Sequence, residues 1–118
     1  MGEVRVEIAV LNPRTGGRSG PITADADTGA TLIVVPAPVL ESLGIDKVRT
    51  VPLVLADGRR AVRDVGDAAV ALDGDAAPCR VVFGQPDDDV LLGLTVLEQL
   101  GLAVDPVRRR LVPADFHF

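Results

Sequence analysis

The chain has 118 residues, 47% of them hydrophobic, and a formal net charge of −5 from 12 Lys and Arg against 17 Asp and Glu. That length suits one domain with a small core, and the acidic balance argues against nucleic acid, which rewards a basic face. Three Phe, no Trp and no Tyr leave the core to Val, Leu, Ala and Ile, and the abundant valines favour strands.

Other classes are excluded in turn. One cysteine, Cys79, cannot form an intramolecular disulfide. A nucleophilic role would need a base, and the one histidine, His117, lies at the extreme C-terminus. Arg108-Arg109-Arg110 is the one basic run and reads as a solvated turn. No stretch is long enough to span a membrane, and the N-terminus lacks a basic-then-apolar leader. A cytoplasmic protein is expected.

Val4, Val6, Ile8 and Val10 alternate with Glu3, Arg5, Glu7 and Ala9, the pattern of a half-buried strand. Residues 12–21 are rich in Gly, Pro, Arg and Ser and read as a loop. Ile22, Ala24 and Ala26 resume the alternation, and residues 32–35 form another apolar run. Pro38 fits a first helical turn, residues 39–43 continue that helix, and Gly44 supplies a left-handed stop. Residues 51–56 and 61–65 flank Asp57-Gly58, which suits a tight type I′ hairpin turn, and Pro52 marks the first arm as a sheet edge. Separate strands are expected at 68–72 and 79–83, with turns at Asp73-Gly74-Asp75 and at 84–89. Val90-Leu91-Leu92 is a short strand. Thr95 and Glu98 have capping-box spacing, and Gly101 closes that helix. Residues 102–105 and 110–112 make a last hairpin around Pro106. The expected architecture is all-β: a small closed barrel or sandwich with one or two short helices, as a single domain over residues 1–118.

The stretch with most chemical content is Asp25-Ala26-Asp27-Thr28-Gly29-Ala30-Thr31. It sets a carboxylate, a small hydroxyl residue and a glycine on a tight loop between two apolar strands. Carboxylates avoid such places unless they are paired or functional. Asp25 and Asp27 share a strand face, because side-chain direction repeats every two residues.

Asp27-Thr28-Gly29-Ala30-Thr31 resembles the active-site signature of the retropepsin-like aspartic proteases. Leu91-Leu92-Gly93, running into Leu94-Thr95-Val96-Leu97-Glu98-Gln99-Leu100-Gly101, is similar to the family's two apolar residues plus glycine ahead of its C-terminal helix. The resemblance covers roughly residues 4–113 and points to a bacterial-type, single-domain member. It implies an endopeptidase acting on peptide or protein substrates with no metal or organic cofactor. By the same resemblance Asp27 is catalytic, Thr28 bonds across a dimer axis, and Gly29 leaves room for substrate. Ala30 and Thr31 line the substrate channel. The hairpin around Ala56, Asp57 and Gly58 matches the flap, and Leu91, Leu92 and Gly93 match an apolar wall behind the catalytic loop.

Such chemistry needs two carboxylates sharing one proton. The chain holds one Asp-Thr-Gly, and neither Asp57-Gly58 nor Asp73-Gly74 has the intervening Thr or Ser. A symmetric homodimer, with Asp27 from each subunit on the two-fold axis, would complete the pair. Asp25 stands where the family is usually apolar. There it would either bias the pocket toward basic or polar side chains and raise the dyad's upper pKa, or be solvated or paired with an arginine. The alternative is a catalytically silent dimerisation or peptide-binding module on the same fold. A haloacid-dehalogenase-like reading of Asp25-Ala26-Asp27-Thr28 fails on the order of Thr and Gly. Asp87-Asp88-Asp89 lacks the every-second-residue spacing of a calcium loop and reads as a solvated turn.

Overall fold

The computed structural model describes residues 4–55 and 57–115. Among these, nine strands and two helices follow one another: β1 (Arg5–Leu11), β2 (Ile22–Asp27), β3 (Ile33–Pro36), α1 (Ala37–Ser42), β4 (Arg49–Val54), β5 (Arg60–Leu72), β6 (Asp75–Gly84), β7 (Leu91–Gly93), α2 (Leu94–Gln99), β8 (Leu102–Asp105) and β9 (Arg110–Pro113). No helix among the described residues is long and apolar enough to cross a membrane.

Seven strands form one sheet in the order β1-β2-β7-β3-β6-β5-β4, and β1 also pairs with β5. That extra pairing, Ala9↔Ala71 to Leu11↔Ala69, bends the sheet into a closed ring of six strands. Closure leaves β4 as the edge, attached through β5 alone, which is where Pro52 can sit without breaking a ladder. The β8–β9 hairpin forms its own two-stranded sheet. The expected all-β architecture with two short helices is the one that forms.

The ring fills with aliphatic side chains. Val10, Ile33, Val35, Leu92 and Leu97 are fully buried, and Phe83 is the one aromatic in the core cluster. Burying each such side chain stabilises by about 1.5–3 kcal/mol. Helix α1 covers the barrel with Leu40. It ends in a Schellman motif: the Ile45 N–H donates to the Leu40 carbonyl, the Gly44 N–H to Glu41, and Gly44 takes φ +73°.

Three local expectations are corrected. Residues 61–65 and 68–72 belong to one 13-residue strand, β5. Gly66 does not interrupt it. A Cβ there would lie 2.4 Å from the Asp46 carbonyl oxygen and 3.1 Å from the Phe83 ring, so glycine is what the close approach requires. The inward face switches at this point, from Ala61, Arg63 and Val65 to Gly66, Ala68 and Val70. The tight two-residue turn lies at Asp73-Gly74, both left-handed, with Leu72 paired to Asp75. At Asp57-Gly58 the Leu55 N–H donates to the Arg59 carbonyl, leaving three residues between them, one too many for type I′. Finally, α2 is capped by Gly93, with no side-chain cap from Thr95. Backbone carbonyls of Ala30 and Thr31, in the β2–β3 connection, serve that helix instead.

Candidate active site

Strands β2 and β3 follow one another in sequence, yet β7 lies between them, parallel to β2 and antiparallel to β3. The connection from Asp27 to Ile33 must therefore cross the end of β7. Gly93 is the register partner of Asp27 and lies beneath this crossing. A Cβ on Gly93 would meet the Leu32 carbonyl oxygen at 2.4 Å and the Ala30 carbonyl oxygen at 2.9 Å. With no side chain in the way, the loop carbonyls reach the open N-terminus of α2. The Leu94 N–H donates to Ala30 at 2.8 Å and the Thr95 N–H to Thr31 at 3.3 Å. Those are two of the amides a helix start leaves without intrahelical partners.

Asp27 is half-buried at the end of β2. Its Oδ1 accepts the Gly29 N–H at 2.8 Å, and its carbonyl accepts the Ala30 N–H at 3.1 Å. The carboxylate is thus oriented by the backbone of its own turn, and the turn is held by α2. Asp27 opens onto a cleft of about 970 Å³. The floor and walls include Ala30, Leu32, Val34, Val82 and Leu91, an apolar trough with Asp27 at one side.

The other side of the cleft is the β4–β5 arm. Beyond Val65, which pairs with Val82 of β6, β5 runs on with β4 as its ladder partner. Leu53, Leu55, Asp57, Arg59 and Arg63 of this arm line the same cleft as Asp27. At its tip the Arg59 N–H and guanidinium both bond Asp57 and hold that carboxyl below its ordinary value. Nearer its base, Arg63 grips Asp88 with Nε–Oδ2 at 2.7 Å and Nη2–Oδ1 at 2.9 Å. The guanidinium lowers the pKa of Asp88, and the carboxylate raises that of Arg63.

The residues expected at the site fall in different places. Asp27, Gly29, Ala30, Thr31, Asp57 and Leu91 line the cleft. Thr28 is exposed on the turn beside Asp27. Leu92 and Gly93 are not cleft residues: Leu92 is fully buried core, and Gly93 lies under the loop. Gly58 forms the arm's turn at φ +86° and is not among the cleft-lining residues. Ala56 and His117 lie outside the described residues. Asp25 is not among the cleft-lining residues of the single chain; it pairs with Arg5, its register partner on β1, at 3.3 Å, one of the two alternatives to a pocket role. Asp87, Asp88 and Asp89 form the expected turn, with Asp87 and Asp89 exposed, and they also line the cleft, a placement the sequence did not show. Sequence reasoning missed Arg63 as well. Its signal was an arginine on the inward face of the alternation Ala61, Arg63, Val65.

Comparison with known proteins agrees with this geometry. The profile of the family described as "gag-polyprotein putative aspartyl protease" matches residues 15–99. The solution structure of simian foamy virus (mac) protease is similar at 23% identity and a TM-score of 0.55, over 81% of this chain and 93% of that one. The crystal structure of a retropepsin-like aspartic protease from Rickettsia conorii is similar at 22% identity and a TM-score of 0.53, over 87% of each chain. No curated protein gives a significant match. The matched span contains both the Asp27 loop and the Leu91-Leu92-Gly93 strand that supports it, and the chain belongs to the retropepsin-like aspartic protease family.

Proposed function

We propose that the chain is an aspartic endopeptidase that hydrolyses peptide bonds with a dyad made from the Asp27 of two copies. The observation that carries this reading is one oriented, half-buried carboxylate on the wall of a peptide-sized cleft, faced by a projecting hairpin. One Asp-Thr-Gly per chain supplies half of the chemistry, and a second copy supplies the other half.

With two such carboxyl groups side by side, one proton is shared, because both cannot ionise at that separation. The ionised group takes a proton from a water, which attacks the scissile carbonyl. The protonated group donates a hydrogen bond to the carbonyl oxygen as charge develops on it. Collapse of the tetrahedral intermediate returns a proton to the leaving amine. The chain's own contribution is to hold Asp27 in place through the Gly29 amide and to let the β4–β5 arm exclude water as a lid. An extended substrate would lay apolar side chains against Leu32, Leu53 and Leu91.

The test is cleavage of an unfolded protein substrate at mildly acidic pH, with sedimentation to fix the oligomeric state. Asp27→Asn is expected to abolish turnover while leaving the fold intact. Cleavage that survives this substitution removes Asp27 from the chemistry. A folded dimer that cleaves no peptide in a broad library is instead a binding module.

A further inference from the structure

The β4–β5 arm is joined to the barrel by few devices. The ladder to β6 ends at Val65↔Val82, and β4 has no second neighbour in the sheet. Two residues beyond that point, Arg63 reaches across the cleft wall to Asp88. Asp88 belongs to the turn that leads into β7, and β7 pairs with the Asp27 strand at Asp27↔Gly93. The pair therefore links the moving side of the cleft to the strand that supports the catalytic turn.

Its construction differs from that of the other ion pairs. The side chains of Arg63 and Asp88 are 15% and 9% exposed, whereas Arg14–Asp46 and Arg80–Asp67 are at least 40% exposed on both partners. Removing two charges from water is costly unless their geometry is good and their remaining bonding positions are filled. Both conditions hold here. The contact is two-pronged, Arg63 Nη1 also donates to the Val62 carbonyl, and Asp88 Oδ2 also accepts the Gln85 N–H at 2.8 Å. The Asp88 N–H in turn donates to the Gln85 carbonyl, so the acceptor is fixed before the arginine arrives.

We propose that Arg63 and Asp88 form the strut that sets how close the β4–β5 arm lies to the cleft, making them positioning residues for the hydrolysis proposed above, on which their catalytic relevance rests. Without the strut the arm keeps its internal β4–β5 ladder but loses its angle to the barrel. A substrate would then meet an open cleft that closes less often.

Hydrogen exchange on Arg63→Met tests the strut directly. Amides of the arm, residues 49–51, 53–54 and 60–64, should exchange at least roughly tenfold faster, while those of β1, β2 and β6 stay within about twofold. Arg63→Lys, which keeps the charge but gives up the two-pronged contact, should fall between; it carries the comparison if Arg63→Met does not fold. In peptide hydrolysis kcat and KM should worsen together, by roughly tenfold or more in kcat/KM, with partial recovery in Arg63→Lys. Unchanged exchange in the arm, or an equal acceleration over arm and barrel, overturns the strut. A wild-type protein that hydrolyses nothing sinks the protease reading, and the exchange comparison then still decides on the strut.

Discussion

Gly93→Ala places one methyl group where the site has no room for it. The new Cβ would stand 2.4 Å from the Leu32 carbonyl oxygen, 2.8 Å from the Leu32 carbonyl carbon and 2.9 Å from the Ala30 carbonyl oxygen. All three are backbone atoms, so no side chain can swing aside. Restoring ordinary contact requires the loop and β7 to separate by roughly 1 Å. The Leu94-to-Ala30 bond is 2.8 Å and the Thr95-to-Thr31 bond 3.3 Å, so that separation breaks both. Overpacking costs about 1–3 kcal/mol and each lost hydrogen bond about 1 kcal/mol, giving roughly 3–5 kcal/mol. That is a large share of the ~5–15 kcal/mol that holds a domain folded. Urea unfolding measures the loss. Gly20→Ala is the control: its Cβ meets nothing within 4 Å, and the change should stay within about 0.5 kcal/mol. At a urea concentration where both variants remain folded, Gly93→Ala should also lose peptide cleavage, because the displaced loop orients Asp27 through the Gly29 and Ala30 amides. If Gly93→Ala matches Gly20→Ala in both stability and turnover, the account of the loop resting on β7 is wrong.

Three further outcomes follow from the same structure. The Asp88 carboxyl titrates below its ordinary value of 3.8 because Arg63, and after it the Gln85 N–H and Arg59, favour its charged form against the opposing effect of burial; Asp87 and Asp89 flank it on the same turn and Asp27 lines the same cleft. Its stabilisation is therefore complete above the unfolded value and is lost as pH falls through the lower folded one. Urea midpoints below pH 4 should thus fall more steeply in the wild type than in Arg63→Met. Burial pushes the Cys79 thiol up to about 12, so alkylation at pH 8 should run roughly a thousandfold slower in the folded protein than in urea. Asp25→Ala should leave both cleavage preference and the pH profile of cleavage unchanged, since Asp25 faces Arg5 and not the cleft. A shift in either would return Asp25 to the substrate pocket.

What the sequence shows of this fold is what acts over a few residues. Alternation through Val6, Ile8 and Val10 fixes a strand face, and an apolar run on each side of Asp27-Thr28-Gly29 fixes a loop. Gly44 marks a helix end because a left-handed residue is needed there whatever surrounds it. Other features depend on what comes close in space. Residues 61–65 and 68–72 read as separate strands, yet they form one, with Gly66 between them where a Cβ would strike the Asp46 carbonyl. Thr95 reads as a cap, but the helix starts one residue earlier because Ala30 and Thr31 bring carbonyls to it. Asp25 shares a strand face with Asp27, and that is all a period of two can say. Arg5 lies opposite it in the register and pairs with it, a neighbour that a period of two cannot reveal. Arg63 and Asp88 are 25 residues apart and meet because β5 and the turn before β7 converge on one cleft.

The two sides of that cleft are built to different stiffness, and the difference has a chemical use. On the Asp27 side, backbone bonds run from the turn to α2, and β7 is wedged between two strands. In the proposed dyad, a carboxylate that meets its twin within hydrogen-bond reach could not tolerate a drift of even 1 Å, which backbone and core support prevents. The opposite side is a two-stranded arm with an edge strand, an exposed tip and its Val54 and Val62 side chains in solvent. For the proposed hydrolysis, a peptide chain would enter if that side yields, and water would be excluded when it returns. One ion pair near the arm's base is suited to both requirements. It is strong enough to define a resting position, yet it spans two side chains and can part without breaking any strand of the barrel.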